Sequence, residues 1–435
     1  MDRVSGPAIL MHDRAPPLLD GLVVGVPPGA ALPVRTCARH LATLGARWGP
    51  GDPGAPLPGA AGELLVRGAG VEVACRVRWG TPAGEAGAQA VCGLMAAHGG
   101  EGGPRRLGLE AASVAAGIAA SAGVLAAVLS GWRGRPVREV DTSVLRAARL
   151  FLVCGRPGPP DAAEPALGYE ALIGALGRAG GVPPPWRLRR LPVAAGSRIR
   201  RRPARGLPLE GVRVADAGSA GEEGIAVELL RMLGAEVESG GAASADVVLR
   251  SDGGAGEEAV QARTACAHGL VPLGEAPAPT RVPLLRTLRD LLACEGVLAA
   301  LCLQARVGGR WQVETSLSAA AMALQEHVVR AIVLGRERGR RMGRPVWGML
   351  DRPLETANGW IVVEAGDEDA RCRLALACGA PAGAEEAVVV ARLRERTAEA
   401  WVERLAAAGV PAAVVREEGA GAVLAAPWTF SRTQQ

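Results

Sequence analysis

Aromatic rings are scarce in this sequence, which contains one Tyr and two Phe among 435 residues. Leu, Val and Ala must therefore fill the core, with nine Trp as its large side chains. Hydrophobic residues make up 49% and charged residues 21%, which excludes a chain that is disordered throughout. The length predicts two to three domains.

Cysteine spacing excludes a zinc site. The nine Cys include no Cys-x-x-Cys pair and no Cys and His combination with zinc-ligand spacing, so no metal is predicted. Cys92, Cys294 and Cys302 lie in apolar segments and are predicted to be buried thiols in a reducing compartment. The first 17 residues lack a basic stretch followed by an apolar run, so we expect no signal peptide and a cytoplasmic protein.

Two further features bear on membrane and nucleic-acid partners. The apolar stretch Ala111–Leu129 comes closest to a membrane span, but its Leu, Val and Ile recur at helical spacing among Ala and Gly, which predicts a buried helix. Much of the net charge of +5 lies in an arginine run between Arg187 and Arg205. No groove-reading motif accompanies this run, so we interpret it as a solvated linker and predict neither a membrane nor a nucleic-acid partner.

A strand-and-helix pattern occurs twice in the chain. LDGLVVGV (19–26) matches LEGVRVAD (209–216), and each is followed by a turn-rich stretch. A helical pattern then follows in both places, over 34–48 and 226–238, and each runs through Leu-Gly-Ala towards another strand. This order predicts the start of a βαβ unit in each copy.

A second pair of segments repeats in the same order. GVLAAVLSGWRGRPVREVDTSVLRAA (123–148) matches GVLAALCLQARVGGRWQVETSLSAAA (296–321) without a gap, at an offset of 173. Two copies of one α/β domain in tandem are therefore predicted. The expected divisions are a first, truncated domain over 1–150, a Pro/Gly/Arg-rich linker over 151–206, a second domain over 207–335, and a small domain with a C-terminal return segment over 336–435.

These segments resemble the class III CoA-transferases, the superfamily of carnitine and formyl CoA-transferases and α-methylacyl-CoA racemase. The similarity covers about two thirds of the chain and follows the family order. Its main pieces are LEGVRVADAGSAGEEGIAVELLRMLGAEVE (209–238), QAVCGLM (89–95), the two Gly-Val-Leu-Ala-Ala helices with their Val-Asp/Glu-Thr-Ser strands, NGWIVVEAG (358–366) and WVERLAAAGVPA (401–412).

The resemblance implies both a fold and a reaction. It implies an α/β protein with two Rossmann-like class III CoA-transferase-type domains in tandem and a small C-terminal α+β domain. Family members pair as interlocked rings, so a fused pair of copies implies either a pseudo-dimer within one chain or a homodimer. The family's Asp attacks an acyl-CoA thioester to form a mixed anhydride and then an aspartyl-CoA thioester, while backbone N–H groups hold the oxyanion.

The sequence departs from the family at this nucleophile. The family Asp stands ten residues before the Gly of Gly-Ile-Leu-Ala-Ala, where this chain has Ser113 in the first copy and Arg286 in the second. Neither side chain forms an acyl-carboxylate anhydride. The family's Asn-Arg-Gly-Lys and Gly-Phe-Gly segments, which are associated with CoA contact, have no counterpart, so both the CoA site and the reaction are expected to differ.

Four residues are candidates for altered chemistry. Ser113 is either a nucleophile or a small residue that fills the site, and Glu110 lies one helical turn before it. Asp290 stands four residues after Arg286 and either faces the same kind of pocket or pairs with that arginine. His98, in Ala-His-Gly, is either a general base near neutral pH or a surface residue.

Two functions follow from these residues. The first is an enzyme that acts on an acyl thioester, bound to CoA or to a carrier protein, with altered proton-transfer, elimination or ring-closing chemistry in secondary metabolism. The alternative is a non-catalytic acyl-CoA-binding or scaffolding subunit that partners an intact enzyme. In both, the CoA thioester is a ligand or substrate, and no bound cofactor is expected.

Overall fold

The structure is a computed structural model, and all structural statements below concern the residues that it describes. These are 18–50, 60–99, 103–107, 110–153, 186–191, 206–218, 224–240, 245–251, 282–317, 319–324, 326, 350, 352–417 and 424–432. We call 18–153 the first half, 206–326 the second half and 350–417 the small domain.

Fourteen strands form three sheets in the described part of the chain. The strands are β1 (Val23–Val26), β2 (Arg47–Pro50), β3 (Ala60–Gly68), β4 (Val71–Arg78), β5 (Val137–Ser143), β6 (Arg187–Leu191), β7 (Arg213–Asp216), β8 (Glu236–Ser239), β9 (Val247–Ser251), β10 (Arg310–Thr315), β11 (Leu354–Glu355), β12 (Trp360–Val363), β13 (Ala412–Val414) and β14 (Trp428–Arg432). The sheet orders are β14-β5-β4-β3-β1-β2, β6-β10-β9-β7-β8 and β11-β12-β13.

The helices surround these sheets. They are α1 (Leu32–Thr43), α2 (Gly84–Val91), α3 (Leu94–Gly99), α4 (Ala111–Trp132), α5 (Val144–Leu150), α6 (Ile225–Met232), α7 (Leu284–Val307), α8 (Glu368–Ala377), α9 (Glu386–Leu393) and α10 (Ala398–Ala407). The mixed α/β architecture confirms the fold class that the sequence predicts.

The two large sheets have corresponding strand orders. If the antiparallel strand β3 is left out of the first sheet, β14-β5-β4-β1-β2 corresponds to β6-β10-β9-β7-β8. The directions agree as well: β4 and β5 are parallel, as are β9 and β10. β14 and β6 each lie antiparallel at the outer edge. The repeats read from the sequence thus occupy equivalent places in the two sheets.

Helices α4 and α7 pack against each other where the halves meet. Helix α4 is the one described helix that is long and apolar enough to cross a membrane, yet its most apolar window is completely buried inside the protein. The apolar side chains on all faces of α4 therefore pack against α1, α5, α7 and the first sheet.

Corresponding arginines join the halves in both directions. Arg133, just after α4, donates from Nη1 to the carbonyl of Pro208 at 3.2 Å. Arg306, near the end of α7, donates from Nη1 to the carbonyl of Leu18 at 2.8 Å. Arg133 and Arg306 differ by 173 positions, the offset of the sequence repeat, and Leu18 and Pro208 differ by 190, the offset of the repeated first strands. Such reciprocity is the mark of a two-fold contact.

The predicted linker 151–206 contributes a strand to the second sheet. β6 pairs with β10 over Arg187–Leu191, although its arginines suggested a solvated segment. An edge strand tolerates such residues because one side of it faces solvent. Residues 154–185 and 192–205 lie outside the described residues.

Two short helices of the small domain, α9 and α10, follow one another closely in the chain. The first ends at Leu393, and Thr397 starts the second, because its hydroxyl accepts a hydrogen bond from the Ala400 N–H at 3.3 Å. Such N-caps favour a new helix start over continuation.

Candidate functional site

Ser113 lies in the first turn of α4 and is completely buried. Its Oγ donates to Oε2 of Glu85 at 2.6 Å, and its backbone N–H donates to the same oxygen at 2.7 Å. The other carboxylate oxygen, Oε1, accepts from the Ala112 N–H at 3.0 Å and from Nε2 of Gln89 at 2.8 Å. Each oxygen of Glu85 therefore has two donors.

This arrangement places a carboxylate at the N-terminus of α4. The first N–H groups of a helix lack partners within it, and a negative charge there is stabilised by the helix dipole. Burial raises the pKa of Glu85, and nearby Glu110 adds to the increase, whereas the hydrogen bonds from Ser113, Gln89 and Ala112 oppose it. The Ser113–Glu85 pair is thus a satisfied buried network.

A second, accessible acidic group lies beside this network. Glu110 is exposed and directly precedes α4, and Glu364 follows β12 of the small domain. A Cβ atom built on Gly84 would lie 2.8 Å from Oε1 of Glu364, so the carboxylate sits against the start of α2. Partial burial raises the pKa of Glu364, Arg106 opposes this and Glu110 reinforces it.

The small domain packs beside Glu85 and Glu110 through apolar contacts with the first half. Val362 and Ala413 pack in one buried cluster with side chains of α2, its flanking residue and α3, namely Ala83, Ala86, Ala90 and Met95. The N–H of Arg416 donates to the carbonyl of Ala90 at 3.0 Å. The accessible carboxylates Glu110 and Glu364, and the buried Glu85 beside them, therefore lie where the first half meets the small domain.

The remaining predicted residues lie in different surroundings. His98 is half-buried on α3, next to the 103–107 segment, which is held by a hydrogen bond from the Arg105 N–H to the carbonyl of Met95. Asp290 lies in the second half, on α7, away from the group that contains Ser113 and Glu110. The structure thus brings Glu110 and Ser113 to one helix end and places Asp290 in the other half.

Asp290 is itself buried and held at a helix end. Its Oδ1 accepts from Nε and Nη2 of neighbouring Arg289 at 3.0 and 2.8 Å. Burial raises the pKa of Asp290, while Arg289 and the backbone N–H groups of Ile225 and Ala226 lower it. The carboxylate thus faces the N-terminus of α6 and forms an ion pair with Arg289.

Sequence reasoning missed Glu364. The motif NGWIVVEAG marked the strand, but nothing in the sequence spacing indicates that Glu364, at the end of this strand, lies against Gly84, 280 positions earlier. The local signal is Gly84 itself, whose φ of +49° favours glycine.

Across the residues that the structure describes, no group of three or more His, Cys, Asp or Glu side chains is placed to hold a metal ion.

Comparisons with known proteins agree with the sequence resemblance. The model of CoA-transferase family III matches residues 250–433. A solved hypothetical protein from Mycobacterium tuberculosis is 19% identical, with 48% of this chain and 84% of that chain covered and a TM-score of 0.38. A solved CaiB/BaiF family protein from Brucella suis is 14% identical, with 48% and 84% covered and a TM-score of 0.40. The comparison with curated proteins found no match.

The family match covers less than half of the chain and includes β10, the small domain and β14. It confirms the resemblance that the sequence motifs indicate. Residues 250–433 are therefore similar to CoA-transferase family III.

Proposed function

We propose that this protein binds an acyl thioester, carried by CoA or by a carrier protein, and acts on it without forming the acyl-carboxylate anhydride of its family. The observation that carries the proposal is the burial of Ser113 against Glu85. In the first half the nucleophile position holds a side chain that substrate does not reach. In the second half that position is Arg286.

Covalent catalysis by Ser113 would need an Oγ that the thioester carbonyl can reach. Ser113 is completely buried, and its Oγ donates to Glu85, whose carboxylate is also held by the N–H groups at the start of α4. Asp290 is held by Arg289 and the start of α6. These contacts favour stabilising roles for Ser113 and Asp290 over attack on a thioester.

The accessible Glu364 supports acid–base chemistry in place of covalent catalysis. A carboxyl group with a raised pKa is a stronger base once ionised, and that suits proton removal close to neutral pH. We assign Glu364 as the base that removes a proton from the carbon next to the thioester carbonyl, with the electron pair passing to the carbonyl oxygen and the proton later returning. Glu110 assists by keeping the pKa of Glu364 high.

Deuterium incorporation tests this assignment. Propionyl-CoA incubated with the protein in heavy water should gain deuterium at the carbon next to the carbonyl, and Glu364→Gln should slow this at least tenfold. Glu403→Gln, on an exposed face of α10 in the same domain, is the matched control and should leave the rate unchanged.

Calorimetric titration with CoA and propionyl-CoA separates the alternatives. Binding without deuterium incorporation would support the alternative, a non-catalytic acyl-CoA-binding subunit. The burial of Ser113 also favours that alternative. No binding of either compound would contradict the proposal.

A cytoplasmic location and a role in secondary metabolism remain predictions of the sequence.

We also propose that the two halves derive from a tandem duplication. The corresponding strand orders of the two large sheets support this, as do the reciprocal Arg133 and Arg306 contacts at the sequence offsets. The fused halves then form a pseudo-dimer within one chain.

A further inference from the structure

We propose that the first sheet carries a binding site for a small phosphate monoester on its outer face, the face turned away from α4. A cavity of about 420 Å³ lies there over β4, β5 and β14. Sites for small ligands usually have volumes of roughly 300–1,000 Å³. The site is separate from the acid–base chemistry proposed above and does not depend on it.

The alternation of side chains along β4 creates this polar face. Val73, Cys75 and Val77 are buried in the core that includes α4, whereas Arg76 and Arg78 point to the opposite side and line the cavity. A sheet that is parallel throughout is normally covered on both faces, but this one contains the antiparallel strands β3 and β14. It can therefore leave one face to water and ligands.

Three arginines line the cavity, and two of them share one carboxylate. Nε of Arg78 donates to Oδ2 of Asp141 at 2.8 Å, and Nη1 of Arg146 lies 4.0 Å from Oδ1 of the same residue. The third, Arg76, donates from Nε to Glu63 at 3.3 Å. Because Asp141 offsets only one of the two positive charges beside it, this end of the cavity keeps an excess of positive charge.

The arginine end also has hydrogen-bond donors to spare. A guanidinium group has five N–H donors, and Nη1 of Arg146 is buried without a hydrogen-bond acceptor in the described part of the chain. The Arg146 side chain as a whole is 41% exposed, so an entering ligand reaches the same guanidinium. The hydroxyls of Thr429 and Ser431 line the cavity from β14. A phosphate group, with several acceptor oxygens and the geometry for bidentate contacts, matches this donor set.

The second half shows that the fold does not require these arginines. Asp141 corresponds to Glu314 at the repeat offset of 173, and Oε1 of Glu314 accepts from Nε2 of Gln312 at 2.6 Å. Arg146 corresponds to Ala319 at the same offset. A neutral amide thus holds the equivalent carboxylate where no arginine stands at the position of Arg146. We therefore assign Arg146 to a ligand and not to the stability of the sheet.

Glu139 selects the other end of the ligand. It is exposed, lines the cavity and stands two residues before Asp141 on β5, opposite Ser431 of β14. Two strand residues span about 7 Å, so Glu139 lies away from the arginine end. A carboxylate repels phosphate but accepts a hydrogen bond from a hydroxyl group. The cavity therefore suits the phosphate monoester of a polyol better than free phosphate.

Calorimetric titration of the full chain with glycerol 3-phosphate and with inorganic phosphate tests the site. Glycerol 3-phosphate should bind about fivefold more tightly than phosphate. Arg146→Gln should weaken the binding of both by about tenfold. This variant should stay folded, as urea unfolding can verify, because Arg146 makes no side-chain hydrogen bond to the described residues.

Two further variants make the test specific. Arg67→Gln is the matched control: it removes the same charge from β3, where Arg67 is 65% exposed and paired with Glu72 outside the cavity, and should change either affinity by less than about twofold. Glu139→Ala should bind inorganic phosphate more tightly and lose the preference for glycerol 3-phosphate.

Competition with CoA identifies the source of the ester, since CoA carries a phosphate monoester on its ribose. Displacement of glycerol 3-phosphate by CoA, dependent on Arg146, would support the site with the thioester carrier as its ligand. Simultaneous binding of both would support it with a separate small ester. The proposal would be overturned if neither glycerol 3-phosphate nor phosphate bound, or if Arg67→Gln weakened binding as much as Arg146→Gln.

Discussion

Nδ1 of His40 lies 2.9 Å from Oε2 of Glu295, and this buried pair joins α1 of the first half to α7 of the second. The corresponding position of Glu295 in the first half is Ala122, so the pair breaks the two-fold relationship between the halves. A buried ion pair contributes little compared with an apolar pair of the same size, but losing one partner is costly. We therefore propose that the pair favours this arrangement of the halves over others.

The stability of the protein should depend on pH through His40. Burial alone lowers the pKa of His40, but the charge and hydrogen bond of Glu295, with help from Glu326, outweigh burial and Arg39, so the pKa lies above its ordinary 6.5. A raised folded-state pKa gives stability that is complete below the unfolded-state pKa and is lost as pH rises through the folded value. The free energy of unfolding, measured with urea between about pH 6 and pH 9, should fall with rising pH.

Variants separate this effect from other titrations. His40→Leu should lower the free energy of unfolding by about 3–5 kcal/mol and flatten the pH dependence, because Glu295 is left buried without its positively charged partner and keeps the hydrogen bond from Trp186 Nε1. His40→Leu combined with Glu295→Met should be less destabilised than the single variant. An unchanged pH slope in His40→Leu would show that the pair does not titrate in this range.

Substitutions at Ser113 and Glu85 should act on stability and not on binding. Ser113→Ala removes one donor to a buried carboxylate and should cost about 1–3 kcal/mol in urea unfolding. Glu85→Ala uncaps the buried start of α4 and should cost at least as much. The affinity of the folded Ser113→Ala protein for CoA should be unchanged. Loss of deuterium incorporation in Ser113→Ala without loss of stability would contradict the stabilising role.

Gly123 and Gly296 should respond alike to an added methyl group. A Cβ on Gly123 would lie 2.7 Å from Cγ1 of Val140, and one on Gly296 would lie 2.6 Å from Cγ1 of Val313. Overpacking should outweigh the gain in helix propensity, so each Gly→Ala variant should lose about 1–2 kcal/mol of stability. Gly359→Ala, with open space around its Cβ, should change stability by less than about 0.5 kcal/mol.

A large difference between the two helix variants would contradict the equivalence of α4 and α7. Similar costs, measured by urea unfolding under the same conditions, would agree with two packed copies of one helix–strand contact.

Much of the fold could be predicted from local pattern. The repeated segments became β1 and β7, α1 and α6, and α4 with β5 and α7 with β10, because apolar periodicity and Gly-rich turns are encoded locally. The hairpin of β3 and β4 was missed. Its turn places the non-glycine residue Ala69 at a φ of +50°, and so lacks the usual Asn-Gly signal.

The rest depended on contacts between distant parts of the chain. The arginines of β6 gave no strand signal, since its strand conformation depends on pairing with β10 of the second half. Among the candidate residues, Glu110 and Ser113 could be placed together from their spacing on one helix. The roles of Glu85 and Glu364 came from tertiary contacts with α4 and Gly84.

The most direct test of the central claim is the intact mass of the protein after incubation with acetyl-CoA, taken on samples in which calorimetry shows binding. Our account predicts an unchanged mass, because Ser113 and Asp290 are both buried out of reach of the thioester. A mass increase equal to an acetyl group or to CoA, lost in Ser113→Ala or Asp290→Asn, would contradict it and establish covalent catalysis.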